Sequence, residues 1–294
     1  MAITWKNCME NKKLTSEVKH KVFQTTSAMT LLYAAPCFGF FESDIIESVQ
    51  RFYLKRSLKL PLTTPNYMLA LETGLPDLSL TALKLHFDFI IKLLTNEKNK
   101  LSKRIALEVV QKRSYWFAEW RRKAQEVDMD LQLNIDNIDT WSEQLNYLLN
   151  KLHLRNLGNY SNKAKESQSR YCYPNLNLAL GSNSYFRGDF SQEVISCIFK
   201  LRGELIYLNY FPHRQDLPRY CPFWEGNVIE NILHFIGKCK KYLSIRISIF
   251  NKTELSDIEV YEYLNGADWM ALFRYHRSAF SCRVSALSNN NEFQ

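Results

Sequence analysis

Apolar residues recur at helical spacing along most of this chain. In ESDIIESVQRFYLKRSLKLP (42–61), Ile45, Val49, Phe52, Tyr53 and Leu60 repeat along one face. Asp44 with Glu47 three residues on reads as an N-terminal cap, and Pro61 closes the stretch. The next segment, 63–94, reads as a short helix opened at Pro65, a break at Gly74-Leu75-Pro76, and a long apolar helix. His86 is expected to pack among its neighbours Leu83, Leu85, Phe87 and Phe89. Thr140 with Glu143 has the capping-box pattern for a helix running to about Arg155, and Ser256 with Glu259 opens another that stops at Gly266. Asp268 opens a last one. Between these, EVDMDLQLNIDNID (126–139) alternates with period two and predicts a short strand or extended connector. Its acidic positions imitate a calcium loop, but Leu133 stands where the turn needs glycine, so calcium is not expected. Residues 156–185 are polar with no lasting period and read as a linker or loose loop. The pattern predicts a mainly α fold.

Composition agrees, since only 9 Gly and 8 Pro in 294 residues leave few turns for a β-sandwich. The longest apolar run, 29–41, has 13 residues and is too short to span a bilayer, so no membrane association is expected. The 7 cysteines are odd in number and scattered, which fits reduced thiols in an intracellular setting, cytoplasmic or nuclear.

Charge changes the picture. The net +8 is concentrated in residues 1–125, which carry +9, whereas 126–160 carry −4. Residues 97–123 hold nine Lys/Arg, interleaved with Tyr115, Trp116, Phe117 and Trp120. Cations beside rings suit a polyanion whose bases can stack. The alternative is an amphipathic helix whose rings face the core. The candidate phosphate-binding residues are Arg51, Lys55, Arg56, Lys103, Arg104, Lys112 and Arg113. Catalytic patterns are missing: there is no phosphate loop, no His-Glu-x-x-His, no Gly-x-Ser-x-Gly, and no Asp-Asp to hold two metal ions. His213 and His276 have no evident partner and read as surface or packing residues. The chain is therefore expected to be no enzyme and to take no small-molecule substrate.

Four stretches together carry a resemblance: LLYAAPCFGF (31–40), ESVQRFYLKRSLKLPLTTPNYMLALETGLPDLSLTALKLHFDFI (47–90), CPFWEGNVIENILHFIGKC (221–239) and YLNGADWMALFRYHRSAF (263–280). In order and spacing they resemble the C-terminal part of reverse transcriptases from non-LTR (LINE-type) retrotransposons of the insect type. The resemblance spans roughly 25–285 and is weakest through 126–185. It implies a thumb-like helical region over 1–95 and a basic, aromatic helix with an acidic connector over 96–155. A polar linker over 156–199, a zinc-knuckle module over 200–243 and a helical tail over 244–294 would follow. The polymerase palm, with its aspartates, would lie upstream of Met1.

The resemblance also implies a Cys-Cys-His-Cys metal site. Cys221, His234 and Cys239 match its first, third and fourth ligands, while Trp224 occupies the second, and Glu225 is a poor substitute. With one thiolate lost, no tightly held zinc cofactor is expected, and the stretch should pack as a small cluster around Trp224, Leu233 and Phe235. The function implied is a non-catalytic remnant that binds RNA or RNA–DNA duplex without sequence preference. The alternatives are an inert fragment, or part of an active RNA-directed DNA polymerase if the reading frame extends upstream.

Overall fold

The computed structural model describes residues 11, 14–41, 44–96, 100–167, 170–178, 181–209, 219–224 and 226–291. The expectations for His213 and Glu225 fall outside them. Within them the chain is mainly helical, and the expected strand over 126–139 does not form. The stretch turns at 126–128, runs without regular structure over 129–134, and then forms a 3-10 helix, Ile135–Thr140. The chain divides into two compact units that interleave in sequence. One comprises Glu17–Leu54 and Gly74–Tyr160; the other comprises Met1–Ser16, Lys55–Thr73 and Ser161–Gln294.

The core of the first unit is aromatic. Its helices include α1 (Ala35–Phe38), α2 (Leu78–Thr95), α3 (Leu101–Gln111) and α4 (Tyr115–Gln125). Trp116, Phe117 and Trp120 face inward from α4, and Trp120 lies edge-on to Phe87 at 4.6 Å. Of the two readings of these rings, packing in the core holds for three of the four; Tyr115 is exposed. His86 is buried beside them, with Nδ1 2.8 Å from the Pro36 carbonyl oxygen. The α1–α2 approach needs glycine at 39, because a Cβ there would sit 2.2 Å from the Ala82 carbonyl oxygen.

Two local expectations are corrected here. The Glu47 carboxylate does not box its own helix; it accepts the Ser79 backbone N–H at 2.8 Å, in the first turn of α2. The polar stretch after 155 is not a loop at its start, since helix α5 runs Trp141–Glu166. Leu148, Leu152, Leu157 and Ala164 are buried along it. Its Asn156 donates to Asp77 at 2.8 Å, so a polar side chain that obscures the period is spent on a specific bond.

The second unit is built around a buried charge. Helices α6 (Asn66–Thr73), α7 (Gln192–Arg202), α8 (Asp257–Leu264) and α9 (Trp269–Asn291) belong to it. Glu72 on α6 is 0% exposed and Arg202 on α7 is 1% exposed, so only pairing makes their burial tolerable. Arg202 Nε and Nη2 donate to the carboxylate at 2.8 and 3.1 Å, while Asn183 and the Tyr185 hydroxyl donate to it as well. Arg202 also donates to the Leu264 carbonyl at the end of α8. The box of Ser256 and Glu259 forms as expected at the start of α8.

Two stability outcomes follow. Arg202→Met leaves the Glu72 carboxylate buried without its cation and should cost about 3–5 kcal/mol in urea unfolding. Changing both residues to Met should cost less than Arg202→Met alone; a larger loss in the double variant would contradict the pairing.

Burial pushes the His86 pKa down to about 4, from 6.5 in the open. The unfolded chain thus takes up the proton first as pH falls. The stability concerned is present above pH 6.5 and is lost between there and about pH 4. The loss is on the order of 3 kcal/mol at 1.36 kcal/mol per unit. His86→Phe should lessen the drop in urea midpoint between pH 7 and pH 4.5, and an unchanged drop would refute this.

Candidate metal centre

Residues 219–239 fold as a tight reversal followed by a single wide helical turn. Tyr220 bridges Ile229 antiparallel, the Cys221 N–H donates to the Val228 carbonyl at 2.8 Å, and the Glu230 N–H donates to Arg219 at 2.9 Å. The reversal at Gly226 uses a φ of 104°, open to glycine at little cost. Asn231 then caps the turn by accepting the His234 N–H at 2.9 Å. His234–Lys238 winds as a π-helix, and the Cys239 N–H returns to the His234 carbonyl at 2.9 Å. This wider turn puts His234 and Cys239, five positions apart, on one side. Gly237 allows the turn to lie against 255, where a Cβ would meet the Leu255 carbonyl oxygen at 2.7 Å.

The result is a cluster of three donors. The sulfurs of Cys221 and Cys239 and a ring nitrogen of His234 lie within 4.8 Å of one another, all three residues being buried. Among the described residues, no other group of His, Cys, Asp and Glu gathers in this way. The two sulfurs are 3.7 Å apart. Two thiolates on one tetrahedral zinc, with bonds near 2.3 Å, would sit about 3.8 Å apart. The donors therefore fit zinc in kind and in spacing. The contact between the two thiols raises the Cys221 pKa and lowers that of Cys239. His234 Nε2 is buried without a hydrogen-bond partner.

Trp224 is half-buried. Its ring stands edge-on to the His234 ring at 5.4 Å, and Lys240 Nζ lies 4.7 Å over its face. Leu233 and Phe235 are buried, and Phe235 sits against Tyr242 at 5.1 Å and Tyr275 at 5.8 Å. The Tyr275 hydroxyl donates to the Phe235 carbonyl at 2.6 Å, which fastens the turn to α9.

Two residues missed in the sequence complete the surroundings. Glu230, 1% exposed, pairs with Arg283 and accepts the Asn209 N–H at 2.8 Å. Burial raises the Glu230 pKa, and the Arg283 charge beside it opposes that rise. A glutamate directly before Asn231 gave no sequence signal, because its partner lies 53 residues away.

The candidate phosphate-binding residues are divided between the two units. Lys103 and Arg104 lie on α3, and Lys112 and Arg113 follow its end. Arg104, Lys112 and Arg113 are exposed. Lys103 donates to the Asn96 carbonyl at 2.6 Å, and Lys112 pairs with Glu108 at 2.5 Å. Arg51 is half-buried and acts on Glu47, Asp77 and Tyr160 of its own unit. Lys55 and Arg56 belong to the other unit, where Lys55 donates to the Leu62 carbonyl at 2.8 Å. No helix among the described residues is long and apolar enough to cross a membrane. No protein-family model, curated protein or solved structure matches this chain.

Proposed function

We propose that this chain is a non-catalytic, nucleic-acid-binding segment of the non-LTR reverse transcriptase type, carrying a three-ligand metal centre. The observation that supports it best is the convergence of Cys221, His234 and Cys239, which are separated in sequence and meet at the spacing of zinc ligands. Zinc held there would tie the reversal at 221–228 to the turn that α9 grips through Tyr275. With two sulfurs and one nitrogen it would be held more weakly than in a closed four-ligand knuckle. Phosphates of RNA or RNA–DNA duplex would meet Lys103, Arg104, Lys112 and Arg113 around α3. Since Trp116, Phe117 and Trp120 are core residues, base stacking by them has no part in this, and the binding depends on charge alone.

The metal reading is tested by restoring the missing thiol. Trp224→Cys should bind one zinc per chain, with an apparent affinity at least ~100-fold above the parent's, a step of the size that outlying contacts alone can produce. Its urea midpoint should fall when zinc is chelated while the parent's changes little, and proton release should accompany loading. Equal zinc content and equal chelator response in the two proteins would reject the ligand assignment.

The nucleic-acid reading is tested by salt. If the four charges around α3 each meet a phosphate, log affinity should fall with log salt with a slope of about −3 to −3.5. Reversing Arg104 and Arg113 to Glu should flatten that slope by about two. No binding at low salt, or a slope that ignores the reversal, would overturn it.

A further inference from the structure

Away from the metal centre, the second unit contains a cavity of about 570 Å³ between α7 and α9. At its middle, Cys197 Sγ lies 3.1 Å from His276 Nδ1. Cys197 comes from α7 and is 7% exposed; His276 comes from α9, and its ring stacks on Phe280 at 5.3 Å and 16°. The sequence showed no partner for His276 and suggested a surface or packing residue; it does pack on Phe280, and the thiol is a contact that the sequence did not reveal. The His276 Nε2 is buried and bonded to no other group, and in the neutral tautomer that carries the proton on Nε2, Nδ1 accepts from the thiol. Lys59, Lys200 and Arg277 line the same cavity against one acid, Glu193. Phe273 and Phe280 supply its apolar wall.

A thiol within hydrogen-bond reach of an imidazole is the arrangement of an assisted nucleophile. Three cations against one carboxylate favour a small anion. We propose that Cys197 and His276 form a nucleophilic pair whose cavity accepts a small electrophilic carboxylate of the α,β-unsaturated type. Cys197 Sγ bonds to the β-carbon of the acid while its proton passes to His276 Nδ1. The π electron pair moves to the α-carbon, which takes that proton back from His276. The product is a thioether on Cys197, and nothing is oxidised or released.

The pH profile separates this from simple accessibility. Burial pushes the Cys197 thiol up to about 12 and the His276 imidazole down to about 4, so both are neutral near pH 7. A thiol acting alone would react as its thiolate fraction, rising about tenfold per pH unit up to pH 12. With neutral His276 taking the proton during attack, the rate is flat from about pH 6 to 9. The charged groups facing the pair are Glu193 and Lys200 on α7, Arg277 on α9, and Lys59 from the segment before α6. Burial lowers the Lys200 pKa, so the profile is read in Lys200→Met as well.

The test alkylates the full chain with iodoacetate or iodoacetamide and follows each cysteine by peptide mass. At pH 7, Cys197 should react with iodoacetate at least about tenfold faster than Cys172, a fully buried thiol with no imidazole beside it, a step at the low end because a base with a pKa near 4 is a weak acceptor at pH 7. The rate should stay flat from about pH 6 to 9 and should collapse in His276→Phe, which keeps a ring on Phe280. Lys200→Met should weaken the preference for iodoacetate over iodoacetamide while leaving the flat profile. The profile of the unaltered chain needs no variant to fold. An inert Cys197, a rate climbing with hydroxide, or indifference to His276→Phe would each overturn the proposal.

Discussion

The carboxylate of Glu72 sets the constraint that the second unit must satisfy. A buried carboxylate needs a cation and further donors, and here they come from Asn183, Tyr185 and Arg202, more than 100 residues along the chain. Arg202 hands another of its protons to Leu264 and places its guanidinium 5.8 Å from the Trp269 ring. Trp269 in turn donates to Ser184 at 3.0 Å, which closes the circle back to the 183–185 segment. Any slip in the register of α6, α7 or α9 would strand at least one of these groups. Such networks add little net stability over a well-packed apolar core, but removing one member is costly. Their plainest effect is to permit one arrangement of the helices.

The metal centre and the Cys197 cavity both inherit that arrangement. His276 and Tyr275 are adjacent on α9: one reaches Cys197, the other fastens the turn that carries His234. Arg283, two turns later on the same helix, pairs with Glu230 beside that turn. One helix thus sets three separate pieces of chemistry. The cost of burying Glu230, visible in its raised pKa, is offset by Arg283 and by the Asn209 N–H. Buried charge is therefore matched twice in this unit, each time across a long stretch of sequence.

This explains how far the sequence could be read. Helices governed by local spacing were legible, as were caps whose donor and acceptor lie three residues apart, Ser256 with Glu259 being the case in point. Asp44 with Glu47 carried the same spacing, yet Glu47 found a better use on Ser79, and spacing alone could not show that. The helical run through Asn156 to Glu166 was hidden because its polar residues bond to partners elsewhere, which removes the periodic signal. The rings near 115–120 fitted either a core or a stacking surface, since both need aromatic residues beside cations. The three metal donors were legible because their spacing is a local property of one reversal and one turn. The Cys197–His276 pair was not, because 79 residues separate its members.

Trp224, which lies between Cys221 and His234 in sequence, shows how little that local spacing asks of the residues between the donors. The reversal persists without a thiol at 224, because it is held by backbone bonds from 219 to 230 and by glycine at 226. The indole then takes the space beside His234 and offers its face to Lys240, contacts that a cysteine could not make. The remaining donors stay close because the two thiols bond to each other and His234 is fixed by Asn231 and by its own turn. Cys221, His234 and Cys239 thus gather beside a tryptophan at 224, since backbone bonds, the Asn231 cap and the contact of the two thiols are enough to position them.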